Sequence, residues 1–269
     1  MVEEPPFDLQ ATEAAYPGLD GSTVVVTGAS NGIGRATSAV LAASGATVYG
    51  LDIAAEPADG GPRFDAVVDQ GELVVGDVTD AEVVDSFVQA AAEDGGLDAV
   101  VNNAGITTAG SLEEVAPDDW REIFNVHVDG TYNVCRSSLP VLQERGHGSI
   151  INISSIAALG SYTGSAAYSS AKGAIIGLTR QLAADYSPEG IRVNAVAPGF
   201  IRTRMNEAIW RDERGDVRDD FDDHPLMQRT LLSYPGDPVD IGHMIGYLCS
   251  DAGRFITGQV IPVDGGWST

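Results

Sequence analysis

The sequence predicts a single domain of the α/β class, built on a doubly wound, mostly parallel sheet of seven strands. Short apolar segments alternate with helical stretches from residue 23 to the C-terminus, as in repeated β-α-β units. Several of these segments are continuous runs of Val, Ile and Leu, which is typical of strands buried on both faces of a parallel sheet. A chain of 269 residues is also long enough to bury such a core without disulfide bonds.

The strand candidates follow one another at regular intervals along the chain. They are Ser22–Thr27, Ala46–Asp52, Leu73–Asp77, Leu97–Asn102, Ser149–Ser154, Arg192–Ala197 and Gln259–Val263. Helix-start signals lie between them, with a capping-box pattern at Thr79–Glu82 and an N-cap followed by proline at Asp237–Asp240.

Two segments fall outside this alternation. Residues 1–20 are predicted to be a flexible N-terminal arm, so that the domain covers residues 21–269. Residues 201–236 form an irregular stretch rich in acids and arginines, which is the candidate substrate lid. Its candidates for an apolar pocket wall are Met205, Ile209, Trp210, Leu226 and Met227, and its candidates for contact with a polar substrate are Arg204 and Arg211.

The charge balance is strongly acidic, with 39 Asp and Glu residues against 15 Lys and Arg residues and a formal net charge of −24. Lys172 is the only lysine. This composition favours adaptation to concentrated salt, although an acidic protein that simply uses arginine is the alternative. The negative charge argues against nucleic acid and membranes as partners, and the acidic N-terminus argues against a signal peptide. We therefore expect a cytoplasmic protein.

The first predicted strand runs into a glycine-rich loop ahead of a helix, Thr27-Gly28-Ala29-Ser30-Asn31-Gly32-Ile33-Gly34. Gly28 suits a sharp strand-to-helix turn, Gly32 lets backbone amides approach a phosphate, and Gly34 permits close packing of the helix on the sheet. Glycines also end strands for purely structural reasons, but this placement favours a dinucleotide pyrophosphate at the helix N-terminus.

The second predicted strand ends at Asp52, eighteen residues after Gly34. A carboxylate here accepts hydrogen bonds from the ribose hydroxyls of NAD and repels the 2′-phosphate of NADP. Asp52 also fits a strand end that simply starts a turn, but no arginine or lysine follows within several residues to hold a 2′-phosphate. The sequence therefore predicts NAD as the cofactor.

Several motifs together resemble the classical short-chain dehydrogenase/reductase family over about residues 20–269. The glycine spacing Gly-x-x-x-Gly-x-Gly is accompanied by Asn102-Asn103-Ala104-Gly105, by Tyr168-Ser169-Ser170-Ala171-Lys172 and by Val263-Asp264-Gly265-Gly266. The family order is completed by Asp77, Asn125, Ser155, Pro198-Gly199 and Thr203. The resemblance implies a Rossmann-like fold, a nicotinamide cofactor, a small-molecule substrate and a homotetramer or homodimer.

This resemblance implies two sets of site residues. The catalytic set is Asn125, Ser155, Tyr168 and Lys172, in which Ser155 would bind the substrate oxygen and Asn125 would hold a water that connects Lys172 to solvent. In the cofactor set, Asp77 would contact the adenine, Lys172 the nicotinamide ribose and Thr203 the carboxamide. The whole cofactor set is Gly28, Ser30, Asn31, Gly32, Ile33, Gly34, Asp52, Asp77, Val78, Asn103, Ala104, Gly105, Tyr168, Lys172, Pro198, Gly199, Ile201 and Thr203.

Chemical reasoning independently supports Tyr168 as the general acid and base. Oxidation of an alcohol requires a group that takes the hydroxyl proton, and the ordinary tyrosine pKa of about 10 is too high for this at neutral pH. Tyr168 and Lys172 lie four residues apart on one helix face, so the ammonium is expected to lower the pKa of the phenol. Such a pair is an ordinary surface pair in most proteins, but here it uses the only lysine of the chain.

The remaining polar candidates favour structural roles, and no metal site is predicted. The four histidines lack ligand spacing and are expected to be structural or solvent-facing: His127, His147, His224 and His243. The acidic run Asp219–Asp223 lacks the glycine and terminal glutamate of a calcium loop. The pair Trp120 and Phe124, at helical spacing, fits the core or a subunit interface.

The sequence thus predicts an NAD(H)-dependent oxidoreductase that interconverts a secondary alcohol (a sugar, a polyol or another small hydroxy compound) and its ketone or lactone. Hydride transfer would be direct, with Tyr168 as general acid and base. One alternative is a reductase of 3-oxoacyl thioesters carried by acyl-carrier protein or coenzyme A. Another is a non-catalytic protein that senses dinucleotides, which would have no need for Tyr168, Lys172 and Ser155.

Overall fold

The computed structural model describes residues 16–93, 95–210 and 224–269. Seven strands form one sheet in the order β3-β2-β1-β4-β5-β6-β7, and all neighbouring pairs are parallel. The strands are β1 (Thr23–Thr27), β2 (Thr47–Asp52), β3 (Gly71–Val75), β4 (Ala99–Asn102), β5 (Gly148–Ile153), β6 (Ile191–Pro198) and β7 (Val260–Val263). The predicted doubly wound sheet is confirmed, and it is parallel throughout rather than mostly parallel.

Helices follow the strands as β-α-β connections. They are α1 (Gly32–Ala43), α2 (Ala81–Glu93), α3 (Pro117–Phe124), α4 (Gly130–Arg145), α5 (Ala166–Tyr186), α6 (Glu207–Trp210), α7 (Pro225–Arg229) and α8 (Pro238–Cys249). A π-helical turn, Asn125–Asp129, joins α3 to α4. Among the described residues, no helix is both long and apolar enough to cross a membrane.

The sheet carries a core on each face, because successive side chains of a strand point to opposite sides. Val25 of β1 packs in the core that contains Phe87 of α2 and Leu182 of α5. Its neighbour Val24 packs in the other core, together with Leu41 of α1 and other buried side chains. Burial on both faces explains the continuous apolar runs in the sequence.

The third strand departs most from the prediction, since it begins and ends two residues earlier. Its register pairs Gly71 with Val48 and Val75 with Asp52. This is an edge strand whose residues are exposed or half-exposed, so its apolar pattern is a weak guide to its bounds.

Both helix-start signals mark real helices, although one is displaced by a residue. At α2 the capping side chain is Asp80 rather than Thr79, because Asp80 Oδ1 accepts hydrogen bonds from the backbone N–H groups of Glu82 (3.0 Å) and Val83 (3.2 Å). At α8 the predicted cap is found, and the N–H of Asp237 donates to Asp240 Oδ2 at 2.8 Å.

The end of the predicted N-terminal arm is packed against the domain. Leu19 is buried, and the Tyr16 hydroxyl lies 3.1 Å from Nδ1 of His243 on α8. The backbone N–H of Asp251 donates to the carbonyl of Pro17 at 2.9 Å. The packed chain therefore extends at least to Tyr16, and residues 1–15 lie outside the described part.

Candidate functional site

The site lies at the carboxyl ends of the strands, where the strand order reverses between β1 and β4. Connections on the two sides of this point leave in opposite directions and open a crevice. We name its two hollows the long cleft and the inner pocket. The long cleft is lined mainly by Gly28, Asn31, Gly32, Asp52, Asp77, Val78, Asn103 and Ala104. The inner pocket is lined mainly by His127, Ser155, Tyr168, Lys172, Pro198, Gly199 and Ile201, and both hollows share Ile33, Asn103, Gly105, Thr203 and Met205.

The glycine loop is shaped so that only glycine fits at its critical positions. Gly28 has a φ of 65°, and a Cβ there would lie 3.0 Å from the Cα of Ala104. A Cβ on Gly34 would collide with the carbonyl oxygen of Gly28. Helix α1 begins at Gly32 beside the long cleft, so its first N–H groups are available to an anion. This cradle fits the pyrophosphate of a dinucleotide.

Asp52 stands at the end of β2 with its carboxylate anchored by the backbone. Oδ2 accepts a hydrogen bond from the N–H of Ser30 at 2.9 Å, and Oδ1 accepts one from Ala54 at 3.1 Å. The side chain also lines the long cleft. The carboxylate is thus held in place and retains lone pairs for the hydroxyls of a ribose.

Arg35 lies close to this corner but is already paired. Its guanidinium is 3.4 Å from the carbonyl oxygen of Ser30 and makes a two-pronged ion pair with Asp59, at 2.6 and 2.7 Å. Both side chains are largely shielded from water. The Arg35 guanidinium contributes to lowering the pKa of the Asp59 carboxyl, although desolvation of that group works in the opposite direction.

The predicted Asn103 and Ala104 brace the loop after β4 against β1. The N–H groups of both residues donate to Oγ1 of Thr27 at 3.0 Å, and the Asn103 amide donates to the carbonyl of Thr27 at 2.9 Å. The far end of the long cleft is formed by Asp77 and Val78. Of the predicted cofactor set, Ser30 and Gly34 line neither hollow, whereas the other members line one or both.

The predicted catalytic side chains Ser155, Tyr168 and Lys172 meet in the inner pocket. Ser155 follows β5, where its hydroxyl accepts the N–H of Ala157 at 3.1 Å and lines the inner pocket together with Tyr168. Lys172 is buried one helical turn beyond Tyr168 on α5, and its Nζ donates to the carbonyl of Ile153 at 2.7 Å. These three groups are therefore placed together by the β5 end and one face of α5.

The ionisation of this pair differs from the expectation. Desolvation raises the pKa of Tyr168 to about 12, although the Ser155 hydroxyl works in the opposite direction. Burial also lowers the pKa of Lys172 to about 7. In the protein alone, removal of both groups from water therefore outweighs the stabilisation of the phenolate that the sequence predicted from Lys172. Further positive charge or hydrogen-bond donors are needed to lower the pKa of the Tyr168 phenol toward neutral pH.

Asn125 does not lie among these side chains, and its predicted role in holding a relay water stays a prediction. Its side chain is exposed and lines neither hollow. His127, two residues later in the π-helical turn, is buried and lines the inner pocket. The flanking residues Val126 and Val128 indicated an apolar setting for this histidine, but not which side of the helix it occupies.

The candidate lid is described only in part, because residues 211–223, with Arg211 and the acidic run, lie outside the described residues. Its two ends are tied together, since the N–H of Arg202 donates to the carbonyl of Gly236 at 2.9 Å. Met205 and Leu226 line the inner pocket as expected. The other predicted wall residues, Ile209, Trp210 and Met227, pack around Phe200, and Arg204 lines the long cleft rather than the inner pocket.

Other residues of the site had no motif to mark them. They include Thr107, Ile156, Tyr162, Phe200 and Asn206 in the inner pocket and Ile106, Glu122 and Val126 in the long cleft.

The rings of Trp120 and Phe124 stack with 5.0 Å between their centroids and pack beside Ile123. Within the described residues, no group of three His, Cys, Asp or Glu side chains is arranged to hold a metal.

Comparison with known proteins relates nearly the whole chain to oxidoreductases. The family model described as enoyl-(acyl carrier protein) reductase matches residues 28–268. The 3-oxoacyl-[acyl-carrier-protein] reductase of Thermotoga maritima is 34% identical over 256 residues, covering 92% of this chain and 98% of the relative. Meso-2,3-butanediol dehydrogenase of Serratia marcescens is 37% identical over 251 residues, covering 92% of this chain and 95% of the relative.

Solved structures agree with the fold over the same range. The ligand-free aldohexose dehydrogenase of Thermoplasma acidophilum has a TM-score of 0.83 and 31% identity, covering 94% of this chain and 96% of that one. A structure from Beutenbergia cavernae described as an NAD(P)-dependent gluconate 5-dehydrogenase, with bound NADP at low occupancy, has a TM-score of 0.83 and 34% identity. That alignment covers 94% of this chain and 99% of the other.

Proposed function

Because the chain belongs to the short-chain dehydrogenase/reductase family, we propose that it is an NAD(H)-dependent enzyme that oxidises a secondary alcohol reversibly. The substrate is a sugar, a polyol or another small hydroxy compound, and the product is its ketone or lactone. The observation that carries this proposal is the presence of Ser155, Tyr168 and the buried Lys172 in one pocket. A nicotinamide held between the long cleft and the inner pocket would supply the hydride acceptor for oxidation and the hydride donor for reduction.

The side chains of the inner pocket supply the proton chemistry. The Tyr168 phenolate takes the hydroxyl proton during oxidation, and the phenol returns it during reduction. The Ser155 hydroxyl donates to the substrate oxygen and stabilises its developing charge. Protonated Lys172 favours the phenolate, and this effect is strong in a pocket from which water is excluded. Its Nζ has one hydrogen bond to Ile153 and can donate two more, which suits the hydroxyls of a ribose.

The proposal of NAD rather than NADP rests on charge at the end of β2. Asp52 directs a carboxylate at the place where the adenine ribose of a dinucleotide would lie. A 2′-phosphate there would meet this negative charge, and Arg35 is engaged by Asp59 instead of being free to neutralise it. The NADP in the Beutenbergia relative shows that the alternative cofactor is possible within similar proteins.

The walls of the inner pocket support a small hydroxylated substrate. Tyr162, Phe200 and Leu226 provide apolar surface, whereas Thr107 and Asn206 provide polar groups. This mixture suits a compact molecule that has both carbon–hydrogen faces and hydroxyl groups. Two of the similar proteins are named as dehydrogenases of such molecules, one of a butanediol and the other of an aldohexose.

A second candidate is the reduction of 3-oxoacyl thioesters, which the Thermotoga relative favours. Such an enzyme acts on a substrate held by a carrier, and a basic entrance would assist docking of that carrier. This chain has a net charge of −24 instead. The small-alcohol proposal therefore fits the surface better.

The test is a spectrophotometric assay of nicotinamide reduction and oxidation in molar KCl. NAD and NADP are compared in parallel on sugars, polyols, simple secondary alcohols and 3-hydroxyacyl thioesters. We expect turnover with NAD and one class of small alcohols, and a loss of kcat of about 10²- to 10⁴-fold in Tyr168→Phe. Turnover with NADP and thioesters alone would replace this proposal with the reductase. NAD binding by a folded protein that turns over nothing would favour the dinucleotide-sensing alternative.

A further inference from the structure

His127 is a buried imidazole that the chemistry proposed above does not use. Its side chain is only 2% exposed, and it is carried by the π-helical turn between α3 and α4. The ring meets the Tyr168 ring edge-to-face, with 5.5 Å between the centroids and 83° between the planes. The general acid and base of the pocket is therefore packed directly against this histidine.

The same imidazole holds the loop that follows β4. Nε2 lies 2.7 Å from the carbonyl oxygen of Ile106 and 3.2 Å from its backbone nitrogen. The shorter contact places the proton on Nε2, so that an N–H donates to the carbonyl oxygen. A Cβ on Gly105 would overlap the imidazole, which shows that the ring rests directly on the backbone shared by the two hollows.

The π-helical turn explains why this residue rather than Asn125 points inward. The N–H of Gly130 donates to the carbonyl of Asn125, five residues back, so the turn is wider than an α-helical one. The hydroxyl of Thr131 donates to the carbonyl of His127 at 2.7 Å and accompanies the widened turn. The extra residue rotates His127 into the pocket.

His127 does not act as an acid or base at working pH. Burial, together with the positive charge of Lys172, lowers its pKa to about 3. It is thus neutral whenever the enzyme is assayed near neutrality, and Lys172 is the only charged side chain among the described residues that line the inner pocket. A neutral ring can touch Tyr168 without competing with Lys172 for the phenolate.

We propose that His127 is a positioning residue that fixes the Tyr168 ring and the Gly105–Ile106 backbone relative to each other. The edge-to-face contact sets the orientation of the phenol, and the Nε2–H bond to Ile106 sets the wall on which a nicotinamide would rest. The inference rests on the proposed function, because it assigns a catalytic consequence to this arrangement. A displacement of reacting groups by about 1 Å is enough to lower a rate by about 100-fold.

Three substitutions separate the two contacts. His127→Phe keeps a ring beside Tyr168 but has no donor for Ile106, His127→Gln keeps a donor without the ring, and His127→Ala has neither. The exposed His147→Gln is the matched control. Folding of each variant is checked by thermal unfolding, and NADH binding is titrated by fluorescence, which needs no substrate.

We expect His127→Ala to lower kcat about 10- to 100-fold per folded molecule. Its primary deuterium isotope effect on kcat, measured with the C-deuterated alcohol, should increase, because misalignment makes hydride transfer more rate-limiting. We expect NADH affinity to fall several-fold in His127→Phe and His127→Ala and less in His127→Gln. A variant that is merely less folded would show an unchanged isotope effect.

Normal kcat and an unchanged isotope effect in His127→Ala, with active wild-type enzyme, would overturn the inference. Absence of turnover in the wild type would instead count against the proposed function, and the NADH titration would still test the loop contact. Equal NADH affinity in all folded variants would contradict that contact.

Discussion

The ammonium nitrogen of Lys172 lies 5.7 Å from the centre of the Tyr168 ring and donates a hydrogen bond to the carbonyl of Ile153. This distance is long for a direct bond but short for a charge interaction inside a protein. Because burial brings the pKa of Lys172 to about 7, its charge is not assured above neutrality in the protein alone. The pair therefore depends on groups that favour the charged amine.

The first prediction concerns the kind of cation that this pocket accepts. Lys172→Arg keeps a positive charge but replaces a compact ammonium with a broad, planar guanidinium. We expect kcat to fall by about 10²-fold or more, and NADH affinity to fall as well, because the larger group has to take the buried position from which the ammonium donates to Ile153. Steady-state kinetics and a fluorescence titration measure the two effects.

Arg180→Lys, on an exposed position of the same helix, is the control for this prediction and should leave both values unchanged. Full activity of a folded Lys172→Arg variant would mean that charge alone suffices. The special geometry assigned to Lys172 would then be unnecessary.

The second prediction concerns cofactor choice at the end of β2. Asp52→Asn removes one negative charge from the corner where a 2′-phosphate would lie. We expect the ratio of kcat/KM with NADP to kcat/KM with NAD to rise at least about tenfold, which corresponds to about 1.4 kcal/mol less repulsion. Parallel kinetics with the two cofactors measure this ratio.

The ion pair of Arg35 and Asp59 provides an internal check on that result. Asp59→Asn added to Asp52→Asn frees the guanidinium and should raise the NADP ratio further. Adding Arg35→Met should cancel this second increase, because the cycle isolates the contribution of Arg35. If none of the three substitutions changes the ratio of kcat/KM with NADP to kcat/KM with NAD, the 2′-phosphate of NADP does not lie near Asp52.

The sequence anticipated those parts of the site that depend on local signals. Gly28, Gly32 and Gly34 could be predicted because a strand, a tight turn and a helix follow one another without interruption. Tyr168 and Lys172 could be predicted to share a face because α5 keeps an ordinary helical spacing between them.

The misplaced residues depend on features that a regular pattern does not contain. His127 rather than Asn125 lines the inner pocket, because a π-helical turn breaks the helical spacing before α4. The raised pKa of Tyr168 comes from burial by pocket walls contributed by distant segments. The contact of Tyr16 with His243 joins residues 227 positions apart in the chain, and no local sequence pattern predicts such a contact.

The third prediction is a pH dependence of stability caused by His127. The unfolded chain protonates this residue near its ordinary pKa of 6.5, whereas the folded protein does so only at about 3. Between these values the unfolded state binds one more proton. The free energy of unfolding therefore falls as pH falls, by up to about 1.4 kcal/mol per pH unit from this residue.

His127→Gln should flatten this dependence between about pH 6.5 and about pH 5, whatever its effect on stability at neutral pH. Urea unfolding in constant molar KCl gives the slope for each protein. The exposed His147→Gln should retain the wild-type slope. Identical slopes for wild type and His127→Gln would show that the imidazole is protonated as readily in the folded protein as in the unfolded chain.

The fourth prediction concerns salt, since the composition favours a protein that is stable only when its charges are screened. A net charge of −24 on 269 residues repels itself in dilute buffer, and the screening length falls from about 10 Å at 0.1 M salt to about 3 Å at 1 M. We expect Tm to rise by about 10 °C between about 0.1 M and 2 M KCl, which is about 3 to 5 kcal/mol for a chain of this size. Screening should produce most of this increase in Tm below about 1 M KCl, because the screening length changes little at higher concentrations.

Sucrose, which strengthens apolar burial without screening charge, serves as the control and should not reproduce the steep initial rise in Tm. A Tm that rises in proportion to KCl through 2 M would indicate exclusion of the salt from the surface, and a flat curve would leave the acidic composition without a role in stability.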